Sequence, residues 1–192
     1  MLLWLSLLGA PHVDCAASVD AATCAAVEQA CGDIAARLIE QGANLPSAAV
    51  EVVVMPSFAE LLTKGHRSPF EVAVYRDHQI LLAPPATLKK TPDLPAILRH
   101  ECAHAWLRAA GVRPLPILLE ETVAMLLAGQ SGRLPPAAAL DVEGQAHAAR
   151  QAAHPKDRQA LEHALAAAHA TFGPRLLEAI KEHRLLAALK DP

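Results

Sequence analysis

Aromatic side chains are scarce in this chain: three Phe, two Trp and one Tyr among 192 residues. A core built on large rings is thereby excluded. The apolar residues, 53% of the total, are mostly Ala and Leu, which favour helix. A basic block is also missing. Seventeen Lys and Arg stand against twenty Asp and Glu, for a net charge of -3. Without clustered cations to meet phosphate, the chain is not expected to bind nucleic acid. No apolar run approaches the roughly 20 residues that cross a bilayer as helix, so no integral membrane segment is expected. The run at the start, MLLWLSLLGA, reads instead as the apolar part of an export signal. A small-residue cut would fall at Cys15-Ala16-Ala17, although the basic residues that usually precede such a run are missing. Its other readings are a buried N-terminal helical turn or a start placed too early. Export to the periplasm or the medium is therefore expected, with the cytoplasm as the alternative.

Cysteine is sparse as well. Cys15, Cys24, Cys31 and Cys102 follow no zinc-finger or CxxC spacing. Cys24 and Cys31 fall in one expected helix, where their backbones would stand roughly 10 Å apart, too far for a disulfide. A bridge from Cys15 to either remains open.

The length suits one domain, and no internal repeat is present. Residues 18–41 read as an Ala-rich helix ended by Gly42. VEVVVM, Val50–Met55, is a β-branched run typical of a buried strand. Ser57 can cap a short helix over 58–63. Residues 70–76 and 79–83 flank Asp77-His78 as a β-hairpin. A central helix runs from Asp93, a candidate cap, to Ala110, with Gly111 after it. A second helix covers 117–128 and ends at Gly129. Beyond Pro135-Pro136 three helices are expected, over 137–153, 156–171 and 174–189, separated by Pro155 and Gly173-Pro174.

The central helix carries RHECAHAWL, and within it His100-Glu101-x-x-His104. Positions i and i+4 lie one above the other on a helix, so two imidazoles can share one zinc ion at about 2.0–2.1 Å each. Glu101 is about 100° around the helix, beside the metal rather than beneath it. It is therefore expected to take a proton from water as a general base rather than to ligate. Cys102 and Trp106 should face away, into the core. The second helix, ILLEETVAMLLA, is apolar on every side except at Glu120, Glu121 and Thr122. Such a helix is buried, and a carboxylate on it must be paired or metal-bound. The neighbours of Glu121 at i±3 and i±4, namely Ile117, Leu118, Ala124 and Met125, form a continuous apolar stripe. The stripe favours Glu121 as the third ligand, with Glu120 orienting an imidazole, but helix geometry alone separates the two poorly.

The segment from Arg99 to Gly129 resembles the gluzincin metallopeptidases, most closely the compact bacterial peptidase MA-like domains. Those follow HExxH with a Pro-x-Trp-Leu-x-Glu-Gly-x-Ala segment whose glutamate ligates zinc. Pro116, Leu119, Glu121 and Ala124 match it, whereas Leu118 and Thr122 replace the usual Trp and Gly. The resemblance covers roughly residues 48–130. It implies a zinc-dependent hydrolysis of peptide bonds in which Glu101 accepts the proton of an activated water. The group that would hold a developing oxyanion is not identified: Tyr75, His147, His154 and Arg133 are the candidates.

The expected fold is α+β, a small antiparallel or mixed sheet packed on the HExxH helix, with the Glu121 helix beside it and a helical cap. The expected organisation is a signal at 1–17, a zinc metallopeptidase-like domain at 18–136 and a helical extension at 137–192. A peptide or protein substrate would lie along the strand 79–83 by strand addition. The alternative function is a zinc-stabilised, inactive domain that binds a partner.

Overall fold

The β-branched run forms a buried strand, as its composition suggests. The computed structural model describes residues 12–47, 49–65, 71–130, 132, 135, 137–154 and 157–190. In it β2 (Ala49–Val54) turns Val50, Val52 and Val54 inward. On one side β2 pairs in parallel with β1 (His12–Cys15), and on the other, also in parallel, with β4 (Gln79–Leu82). The edge strand β3 (Ala73–Arg76) is antiparallel to β4, joined by a two-residue turn in which Asp77 and His78 have φ of 49° and 67°. Both central residues at positive φ match the hairpin turn whose twist suits its strands. The sheet is mixed, in the order β1-β2-β4-β3.

This order corrects one expectation. The strand at 79–83 is interior, and the free edge on that side belongs to β3. The strand β1 was not anticipated, and a cut at Ala17 would remove it. The opening apolar run, the strand start at Phe70, Pro155, Lys156 and Arg133 lie outside the described residues.

Helix α1 (Ala21–Glu40) starts where the Asp20 carboxylate accepts from the Thr23 backbone N–H at 3.0 Å. A stripe of Val27, Cys31, Ile34 and Leu38 packs it against the core. After α2 (Phe58–Gly65), capped by Ser57, and the single turn α3 (Pro85–Leu88), the chain enters α4 (Leu94–Ala109). Asp93 precedes α4 at φ 61°, and its side chain makes no capping bond. The expected cap therefore fails, because the left-handed backbone turns the carboxylate from the first N–H groups. Helix α4 packs between α1 and α5 (Ile117–Ala128), which is buried along nearly its whole length.

Both disulfides converge on α1. Cys15 is bridged to Cys24, and Cys31 to Cys102, with Cα atoms 6.1 and 5.0 Å apart. Cys102 does face the core, but as half of a disulfide rather than as a lone packed thiol. The indole N–H of Trp106, one turn further on, donates to the Cys31 carbonyl at 2.9 Å.

The C-terminal helices are divided differently from the expectation. They are α6 (Val142–Ala153), α7 (Arg158–Lys181) and α8 (Leu185–Lys190). Pro174 lies inside α7 and does not end it. Burial of Ala164, Ala168, Leu176 and Ala179 along α7 offsets the roughly 3 kcal/mol that an interior proline costs a helix. Among the described residues no helix is long and apolar enough to cross a membrane.

Candidate metal centre

Helical periodicity brings His100 and His104 to one face of α4, and α5 lays Glu121 across that face. His100 Nε2 stands 3.1 Å from His104 Nε2 and 3.1 Å from Glu121 Oε2. The other Glu121 oxygen is 3.8 Å from His104 Nε2. One donor atom from each of the three residues lies within 4.8 Å of the others. His104 and Glu121 are buried, and His100 is half-buried.

The zinc expected from the sequence can be tested against these spacings. Around a tetrahedral ion with bonds of about 2.05 Å, neighbouring ligand atoms stand roughly 3.3 Å apart. The observed separations bracket that value, and two imidazoles with one carboxylate are a donor set such an ion accepts. The residues fit. Burial lowers the proton affinity of His100, but the Glu121 carboxylate outweighs it by hydrogen bond and charge. With Glu101 and Gln130 adding to that effect, the His100 pKa is pushed up to about 9.

Each imidazole is oriented from behind. His104 Nδ1 lies 3.1 Å from Glu120 Oε1, and the Arg108 guanidinium holds the other Glu120 oxygen. Burial raises the pKa of Glu120, but the hydrogen bond and charge of His104 and the charge of Arg108 bring it below its ordinary value. His100 Nδ1 lies 2.9 Å from Gln130 Oε1. Gln130 arrives there because Gly129, at φ 72°, ends α5 in the left-handed conformation and lets the Gln130 N–H bond back to Met125. These partners leave both Nε2 atoms facing Glu121, the arrangement that fixes tautomer and ring orientation in histidine metal sites.

Glu101 is buried, and its Oε2 accepts from the Tyr75 backbone N–H at 2.6 Å. It lines one cavity of about 350 Å³ together with His100 and Glu121. Strand β3 forms a wall of this cavity, and Ile97 and Met125 give it an apolar lining. Helix α7 adds Arg158, Leu161, Glu162 and Leu165 to its lining.

The structure thus brings together His100, Glu101, His104 and Glu121, and sets Glu120 behind His104 as the spacing suggested. It does not bring His147 or His154 to the cavity; both are exposed on α6 and at its end. The Tyr75 ring is half-buried, and burial, with the charges of Glu120 and Asp77, raises its pKa against the opposing effect of Arg108. Sequence reasoning missed Arg108, Gln130 and the α7 wall. Arg108 follows His104 by one helical turn, a signal that was readable. The α7 residues recur at i, i+3, i+4 and i+7, but that stripe does not name its destination.

No family model matches the chain, and neither a curated protein nor a solved structure is detectably similar to it.

Proposed function

We propose that the chain is a zinc-dependent peptidase of the gluzincin type, with His100, His104 and Glu121 as ligands and Glu101 as general base. One observation carries this reading: three convergent donors stand on two packed helices, and two of them, His100 and Glu121, line a cavity with a buried carboxylate, Glu101, that is not among the three. Zinc, when bound, acidifies a water and polarises a carbonyl. The chain's own residues do the rest. Tyr75 N–H fixes Glu101 through Oε2, leaving Oε1 to accept a proton from water and return it to the leaving amine. Strand alternation turns the Ala73 N–H and C=O the same way as those of Tyr75, so the cavity side of β3 offers an extended peptide a partner. The substrate would lie against β3 rather than the interior β4.

The two disulfides favour an oxidising compartment and hence export. A second reading, a metal-stabilised domain that binds without cleaving, is favoured by one feature. The Tyr75 bond to Glu101 also makes sense as a tie between β3 and α4.

Turnover of a casein-type substrate separates the two. A peptidase loses activity to a chelator and regains it with zinc. A protein that binds zinc stoichiometrically and cleaves nothing is the binding module.

A further inference from the structure

The metal cavity has a neighbour. A second pocket, of about 450 Å³, is lined by Thr87, Lys90, Thr91 and Pro92 and shares Val72, Ile97 and Arg158 with the metal cavity. The charges differ on the two sides of this shared wall. Glu71 and Glu162 line the metal cavity beside Glu101 and Glu121. Among the described residues, the charged residues lining the neighbouring pocket are Lys90 and Arg158, with no carboxylate.

Arg158 lies on the boundary. Its Nε pairs with Glu162 at 2.9 Å, and the two terminal NH2 groups carry four further N–H donors. Lys90 is exposed at the end of the short turn after α3. The two uncharged residues shared by the two pockets, Val72 and Ile97, are apolar, and Leu161 and Leu165 add to the apolar lining of the metal cavity.

We infer that the substrate is a peptide with an aliphatic side chain at the metal cavity and, next to it, a carboxylate held by Lys90 and Arg158. This rests on the peptidase reading for the chemistry, but the charge preference is a property of binding alone. Arg158, Leu161 and Leu165 all come from α7, so the helical extension is a specificity element of the site as well as a cap on the fold.

The test uses fluorescent peptides of one aliphatic sequence, amidated at the C-terminus and carrying Glu, Gln or Lys at the flanking position. Binding is read by anisotropy on the full-length, zinc-loaded Glu101→Gln protein, so that no peptide is consumed. The Glu peptide should bind roughly three- to tenfold tighter than the Gln peptide, as expected of partly exposed charge pairs, and the Lys peptide most weakly. Added salt should narrow the difference. A fourth peptide, with Gln and a free C-terminus, assigns the pocket to a terminal carboxylate if it binds as tightly as the Glu peptide, and to a side chain if it does not. Lys90→Glu and Arg158→Glu, introduced separately, should each reduce or invert the order. Equal affinities, tightest binding of the Lys peptide, an order unchanged in both variants, or no binding of any peptide would each overturn the inference. Cleavage by the unsubstituted protein is followed in parallel. If all peptides are cut alike, the inference falls and the peptidase stands. If none is cut while the Glu peptide still binds best, hydrolysis falls and the inference stands.

Discussion

Arg108 holds Glu120, Glu120 faces His104 Nδ1, and Gln130 faces His100 Nδ1, so both imidazoles present Nε2 to Glu121. On the proposed reading the two neighbouring glutamates of α5 have different tasks, and their removal should have different effects. Glu121→Ala is expected to lower zinc affinity by several orders of magnitude, because it deletes a ligand. Glu120→Ala should lower it by about 10–100-fold, the usual effect of losing a group that orients a histidine. Competition against a chromophoric chelator measures both, and the reverse order would contradict the assignment. The placement of His100 and His104 on one face of α4, with Glu101 beside them, was legible because helix geometry alone fixes it. The apolar stripe separated Glu121 from Glu120 only poorly, and preferring Glu121 also drew on the family resemblance. Gln130 was not legible, since its place depends on the left-handed turn at Gly129 and on how α5 crosses α4, neither of which spacing encodes.

Helix α1 holds α4, the helix of His100 and His104, twice through one residue. Cys31 is bridged to Cys102, and its carbonyl accepts from Trp106. The bridge spans a sequence separation of 71, for which loop closure in the unfolded chain gives a stabilisation of roughly 4 kcal/mol. Replacing both cysteines by alanine should lower the urea midpoint accordingly. A midpoint equal to that of the unsubstituted protein would show that the bridge holds nothing that packing does not already hold. This pairing could not be read from the sequence, where Cys102 looked like any small core residue; it depends on α1 and α4 lying side by side. Pro174 misled for a related reason. Local chemistry says a helix stops there, and the packing of α7 against α5 carries it through. The hairpin, α5 and the cap at Ser57 were legible because their signals are local.

Taken together, β3, α4, α5 and α7 line one cavity, and the chain's first described strand belongs to the same body. Because β1 pairs with β2 and Cys15 is bridged to Cys24, a mature chain cut at Ala17 would lose a strand and a disulfide. An exported form is therefore expected to retain His12 and everything after it. Intact mass of the protein from its native host checks this, and a mature N-terminus at Ser18 would contradict it. The α+β class and the order of sheet and helices followed from composition and punctuation. The mixed pairing did not, because short strands carry no record of their neighbours. The peptidase reading rests on one chemical division of labour, two histidines and Glu121 for the metal and Glu101 for the proton. Turnover of a casein-type substrate by the Glu101→Gln protein, compared with the unsubstituted protein at matched zinc content, tests that division. The expected result is one zinc per chain in both, with activity lost in the variant by a factor of about 100 or more. Equal turnover in the two proteins, or loss of zinc from the variant, would contradict it.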